Sequence, residues 1–460
     1  MEMNRSSFFS NFHTNYISTS SFVRSLLYSL ILCSYLDISN ANNVFESLLQ
    51  LPHYSKSESF RNTSSNSTTV LYIDDFGARG DGITDDTQIF LYVWKQACAS
   101  TSHQKIVVPA GKSYLVGPID FAGPCHSKVT LRISGTIVAP WNPDVWDGLD
   151  PHKWLYFHDV EKLTVEGGGI IDGMGQEWWA RSCKINETNP CRHAPTALTF
   201  HKCEKLKVRN IMIVNSQQMH MAFTASTLIA ASHLRILAPS HSPNTDGIHI
   251  SASTHVVIKS STIHTGDDCI SIVSNSSRIR IRNILCGPGH GISIGSLGKY
   301  DSWAEVHDVK VDGAILSNTQ NGVRIKTWQG GSGFVSMVTF RNIWMENVSN
   351  PIIIDQYYCD SPLPCENQTS AVNVRDIAFV GIKGTSATEE AIKFACSDNF
   401  PCTKLYLEDI QLISYTGWFT KSFCWEAYGS SSGFIYPHPC FPCNNLIIKQ
   451  KALYSSIQSI

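Results

Sequence analysis

Gly247-Ile248-His249-Ile250, Cys269-Ile270-Ser271-Ile272, Gly291-Ile292-Ser293-Ile294 and Gly322-Val323-Arg324-Ile325 repeat one short pattern, and Pro351-Ile352-Ile353-Ile354 extends it. Their starts lie 22, 22, 31 and 29 residues apart. Periods of about 20 to 50 residues mark stacked solenoid units. Between the copies runs a second set of β-branched segments: Ser277-Arg278-Ile279-Arg280-Ile281, Val309-Lys310-Val311 and Val338-Thr339-Phe340. Each period therefore holds two or three short strands and too little chain for a crossover helix. A ring of strands that advances one strand spacing per turn is a right-handed parallel β-helix. Leucine-rich repeats are the nearest rival, but their leucine consensus is absent. Upstream, Thr84-Asp85-Asp86-Thr87 precedes Ile89, Phe90, Val93, Trp94 and Ala97, a capping signal followed by apolar residues at helical spacing. The expected fold is all-β, a parallel β-helix solenoid with one short N-terminal capping helix.

This geometry turns residue numbers into positions. Successive coils stack at roughly 4.8 Å, so residues one period apart lie above one another. Asp246, Asp268 and His290 are spaced 22 and 22 and each just precedes its Ile-x-Ile strand. Alternation turns Ile248, Ile250, Ile270, Ile272, Ile292, Ile294, Val323 and Ile325 inward. His249, Ser271, Ser293, Arg324 and Lys326 then face outward beside the acids. Adjacent carboxylates at Asp246, Asp267 and Asp268 repel when all are ionised, so one should stay protonated near neutral or mildly acid pH. A protonated acid beside ionised carboxylates suits glycoside hydrolysis, where one group protonates the leaving oxygen and another activates water. Asn-Thr-Asp-Gly and Gly-Asp-Asp are also good turn formers, and either alone would read as a turn. Their registration one coil apart favours chemistry. A calcium site is the other reading of such a cluster, and Arg324, Lys326 and His290 would repel the cation. His290, between two glycines, is expected to be placed for close approach to a ligand.

The chain has 460 residues, 43% hydrophobic and only 16% charged, so general disorder is excluded. Lys and Arg number 36 against 38 acids, a net charge of −2 without the global basic field of a nucleic-acid binder. At about 150 residues per domain the length would suggest three domains, but a solenoid grows by adding coils to one domain. The run Ser25–Leu36, behind Arg5 and Arg24, has signal-peptide length and is too short to span a bilayer. Ser39-Asn40-Ala41 supplies a cleavage site, and cleavage there would leave fourteen of the fifteen cysteines, an even number that fits an oxidised secreted protein. Glycosylation sequons begin at Asn62, Asn66, Asn186, Asn275, Asn347 and Asn367. The expected organisation is a signal peptide over 1–41, a flexible glycosylated leader over 42–70, one catalytic β-helix over 71–430, and a tail over 431–460.

Four blocks then carry a resemblance: Ser242-Pro243-Asn244-Thr245-Asp246-Gly247, Gly266-Asp267-Asp268-Cys269, Cys286-Gly287-Pro288-Gly289-His290-Gly291, and Arg324-Ile325-Lys326-Thr327-Trp328. In order and content they resemble the signatures of plant polygalacturonases, glycoside hydrolase family 28. The resemblance runs from about Ile73 to Leu412. It implies an inverting hydrolase of α-1,4-linked galacturonan, the backbone of demethylated pectin, with no cofactor and no metal. It makes Asp267 the general acid, Asp246 and Asp268 the pair that activates water, and His290 the support of the acid. Arg324, Lys326 and Tyr358 become substrate-binding residues, and Asn244 orients the site. Its implied disulfides are Cys269–Cys286, Cys98–Cys125, Cys359–Cys365 and Cys396–Cys402, with Cys183, Cys191, Cys203, Cys424, Cys440 and Cys443 left open.

His241, His264 and Tyr357 depart from the common plant pattern, and the two histidines are expected to shift the alkaline limb of the rate profile. The resulting expectation is a secreted, monomeric, endo-acting enzyme of the plant cell wall. Its partner is pectin, with an inhibitor protein of the wall as a further candidate and neither nucleic acid nor membrane expected. Alternatives are an exo-acting enzyme, a non-catalytic pectin binder, and a calcium-dependent lyase of the same architecture.

Overall fold

The computed structural model describes residues 68–442, apart from Pro362. Eleven parallel strands stack in chain order to form one face: Ile119–Ala122, Lys153–His158, Thr196–His201, Met221–Thr224, Ile248–Ser251, Ile270–Ile272, Ile292–Leu297, Asn321–Thr327, Asn350–Asp355, Glu390–Ala395 and Lys421–Trp425. A second parallel set of nineteen strands supplies the remaining faces of the coil. In its later coils single long strands replace pairs of short ones. Thr254–His264, for instance, pairs first with Thr227–Ser232 and then with Arg235–Leu237.

The register matches the sequence pattern. Ile248, Ile270, Ile292, Val323, Ile352 and Ile392 lie in register across successive coils, all fully buried. Phe157, Phe200 and Phe223 form a similar interior stack at 5.3 and 5.7 Å. β-Branched and aromatic side chains fit this pleated, one-sided interior, where each residue packs on its equivalents above and below.

The helix Thr87–Ala99 packs against the first coils and buries Phe90, Val93, Trp94 and Ala97. Trp94 meets Phe121 and Phe157 edge-on at 5.2 and 5.4 Å, which covers apolar strand ends that would otherwise be wet. A second helix, Gln176–Ala180, was not expected. It is too short to show helical periodicity, and buried Trp178 and Trp179 hold it down.

All four expected disulfides are present, and Cys183–Cys191 and Cys424–Cys440 join them. The even count after signal removal does not mean full pairing, however. Cys203 is buried and unpaired, and burial pushes its thiol up to about 11. It serves as a small apolar residue inside a coil. Described strands begin at Thr69, within the expected leader, and the last runs Ala427–Tyr436, past the expected boundary at 430. The signal peptide, most of the leader, Cys33, Cys443, Asn62 and Asn66 lie outside the described residues.

Ile270 is the central rung beneath the acids, flanked in register by Ile248 and Ile292. Ile270→Ala should cost about 2–5 kcal/mol by opening a cavity that the ladder cannot close. Chemical denaturation would measure this, and a loss well under 1 kcal/mol would mean the stack relaxes around the gap.

Candidate active site

The acids stand at the turn that enters each strand of the eleven-stranded face. Asn244 adopts a left-handed backbone (φ 55), which suits Asn in a tight turn. The Thr245 hydroxyl donates to the Ser242 carbonyl at 3.0 Å and accepts from the Gly266 amide at 3.0 Å, which ties this turn to the next. One coil further, the His290 amide donates to the Asp267 carbonyl at 2.7 Å. The glycines beside His290 permit this close stacking of coils, while His290 itself lines the cleft. A Cβ on Gly291 would lie 2.1 Å from the Asn321 carbonyl oxygen, and one on Gly289 would lie 2.9 Å from that of Asp267.

The turns bring all eight expected site residues to one cleft of about 510 Å³. Asp267 is held by His290, whose Nδ1 lies 3.0 Å from Oδ1, and by the Asn244 amide, 3.5 Å from Oδ2. Asp268 is gripped more tightly. Arg324 donates to Oδ1 at 2.7 Å, Lys326 to Oδ2 at 2.9 Å, and the Ser293 hydroxyl to Oδ1 at 2.7 Å. Asp246 accepts from the Ser271 hydroxyl at 2.7 Å, and Ser271 also contacts His249 Nδ1 at 2.8 Å. Arg324 is only 9% exposed and Lys326 7%. Their first partner is therefore a buried carboxylate of the protein, and they reach the cleft only at its floor. Removing either would strand part of the Asp268 charge in a dry site.

These surroundings separate the carboxyls. Burial, and then the charges of Asp267 and Asp268, push Asp246 well above the usual carboxylate range. Burial pushes Asp267 upward too, but the hydrogen bond and charge of His290, with help from Lys326, outweigh it and hold the group below its ordinary value. The upward shift that crowded carboxyls should show thus falls on Asp246, while Asp267 is shifted the other way. Burial raises the Tyr358 hydroxyl, so it stays neutral, and Lys326 sits 5.3 Å over its ring. Burial lowers His249 to about 4, so it is a neutral partner of Ser271.

Asp267, Asp268 and His290 offer ligand-type atoms within 4.8 Å of one another, a spacing that could take a cation. Both Asp268 oxygens already accept from cations, which would oppose one. His241 and His264 stand outside the cleft lining, while Tyr357 lies beside it.

Sequence spacing did not reveal the rim. Lys184, in the loop closed by Cys183–Cys191, pairs with Asp360, in the loop closed by Cys359–Cys365, and both line the cleft. One loop enters the eleven-stranded face and the other leaves it, so the pair bridges the cleft from edge to edge. The two residues are 176 positions apart and belong to no repeat, so only the short cysteine spacings mark these loops in the sequence.

The separated carboxyls set the pH behaviour. Hydrolysis by this cluster needs one proton on it, so activity should fall when the lower-titrating group gains a second proton at acid pH and when the higher one loses its only proton at alkaline pH. His290→Gln removes the interaction that holds Asp267 low, so the acid limb of kcat/KM should move to higher pH and narrow the profile. An unmoved acid limb would show that His290 does not tune Asp267.

The sequence profile of the glycosyl hydrolases family 28 matches residues 98–428. The chain is 58% identical to a probable polygalacturonase of Arabidopsis thaliana across 92% of this chain and 95% of that one. It is 47% identical to polygalacturonase-2 of Solanum lycopersicum over 84% and 83% of the two chains. Among solved structures, the polygalacturonase of Erwinia carotovora matches with a TM-score of 0.62 at 22% identity, over 82% of this chain and 100% of that one. An exopolygalacturonase of Thermotoga maritima matches with a TM-score of 0.67 at 20% identity, over 79% and 90%. At such low identity these structures speak for the fold, a parallel β-helix. With the family profile and the plant relatives covering most of its length, the chain belongs to glycosyl hydrolases family 28 and is a glycosidase of the plant polygalacturonase group.

Proposed function

We propose that the protein is a secreted endo-polygalacturonase that hydrolyses demethylated pectin in the plant cell wall with inversion. The observation that carries this reading is a cluster of three carboxyls, Asp246 pushed up and Asp267 held down, beside two buried cations on a cleft floor laid along a solenoid. Asp267 donates a proton to the leaving glycosidic oxygen, while Asp246 and Asp268 draw the proton from the attacking water. For that Asp267 must carry a proton and Asp246 must be ionised once substrate is bound. A galacturonate carboxylate approaching Lys326 offsets one of the charges that hold Asp267 low, and expulsion of water raises it further. Arg324, Lys326 and Tyr358 bind the uronate, and Asn244 orients Asp267.

Endo action is consistent with the weak closure of the cleft. The Lys184–Asp360 bridge joins two half-exposed side chains, a kind of pair worth about 0–1 kcal/mol, and carboxylates of the polymer compete for Lys184. Six disulfides fit an oxidising compartment. Among the described residues no helix is long and apolar enough to cross a membrane. Asn186, Asn275 and Asn367 are exposed where glycans would sit, whereas the Asn347 amide is tied to Asn318 at 2.8 Å. We read the protein as a monomer, with a wall inhibitor protein as a candidate ligand of the cleft.

Incubation with polygalacturonate, with products sized over time and their anomeric configuration read by NMR, tests the reading. Mid-length oligomers should appear first, with inverted configuration. Monogalacturonate alone from the outset would mean exo action, ultraviolet-absorbing unsaturated products a lyase, and binding without turnover a pectin-binding relative. Asp267→Asn should lower kcat by about 10²- to 10⁴-fold while leaving binding intact.

A further inference from the structure

Beyond Arg324 and Lys326 the same face of the solenoid continues for three more coils, and its outward side chains change from charge to a mixture of cation and aromatic rings. Lys393 follows Arg324 in register through Ile353, and Phe423 follows Lys393. Trp425 follows Lys326 in register through Asp355 and Ala395. At roughly 4.8 Å per coil, Lys393 stands about 10 Å and Trp425 about 14 Å along the solenoid from the cations of the cleft floor. Trp425 is 50% exposed and Phe423 40%, an uncommon amount of aromatic surface to leave wet.

Two of these rings are fixed in place. The Tyr357 hydroxyl donates to Asp398 Oδ2 at 3.0 Å, and the Trp425 indole N–H donates to Asp398 Oδ1 at 2.8 Å. One carboxylate thus uses both oxygens to clamp two aromatic side chains from different coils. Tyr357 is next in chain to Tyr358, which lines the cleft, so the clamped rings continue that edge. Lys393 lies one coil beyond Asp355 on the same outward side of the face, and among the described residues no carboxylate forms an ion pair with it. Rigid rings bind an apolar sugar face at little entropic cost, and a nearby ammonium selects a sugar that carries a carboxylate.

We propose that Trp425, Tyr357 and Lys393 form a distal subsite that holds a uronate residue of the polymer away from the cleavage point. The rings take the apolar face of the pyranose and Lys393 its carboxylate, while Asp398 positions both rings. The subsite rests on the galacturonan reading above and deepens it: it makes the enzyme favour long, demethylated stretches over short fragments.

Kinetics on long polygalacturonate and on trigalacturonate, which is too short to span from the cleavage point to Trp425, test this with wild type, Trp425→Ala, Trp425→Phe and Lys393→Gln. For the polymer, Trp425→Ala and Lys393→Gln should raise KM roughly three- to tenfold with kcat unchanged, and Trp425→Phe should recover most of the loss. The trimer should be cleaved equally well by all four. An unchanged polymer KM overturns the subsite, as does an equal loss on polymer and trimer, which would mark Trp425 as merely structural. If the wild-type protein does not cleave the polymer at all, the parent reading falls and the subsite with it.

Discussion

Everything in this molecule hangs on parallel, in-register stacking of coils. Because side chains alternate with period two, a slip of one residue at Ile248, Ile270 or Ile292 would put the ladder in water and turn His249, Ser271 and Ser293 into the core. The isoleucine ladder therefore does more than stabilise. It sets Asp246, Asp268 and His290 at the same height on their coils and aims the Ser271 and Ser293 hydroxyls at the carboxyls beside them.

On that scaffold, similar residues acquire different chemistry from their neighbours. Asp268 sits in a buried nest of Arg324, Lys326 and Ser293, Asp267 leans on His290, and Asp246 has only Ser271 and a dry wall. Burial and the charges of Asp267 and Asp268 push Asp246 above the usual carboxylate range, whereas at Asp267 burial is outweighed by His290 and the group is held below it. The upward shift thus falls on Asp246 rather than on Asp267, the group to which resemblance assigns the acid role. The two cations hold Asp268 in place, and in the proposed reading they also meet the uronate, so losing either should disturb structure and binding together.

Much of the fold was legible because a solenoid repeats its interior. The spacing of the Ile-x-Ile runs predicted the parallel stack, the inward residues and the shared edge of the acids without any knowledge of distances. The helix Gln176–Ala180, the pairing of Lys184 with Asp360 and the solitary state of Cys203 were not legible. Each belongs to an insertion or an interior position outside the repeat, where one residue has no equivalents to reveal its place. The glycines around His290 were visible, but not that a Cβ on either would meet the backbone of an adjacent coil.

The sequence by itself determined the coil, its register and the residue types gathered on one edge, because period-two alternation and a 22-residue repeat leave a single way to bury the isoleucines. Only the tertiary structure decided which carboxyl is pushed up and which is held down, which cations are committed to Asp268, and how Asp398 clamps Tyr357 to Trp425. Those outcomes depend on burial and on hydrogen bonds a few ångströms long between side chains of different coils, quantities that no linear spacing contains.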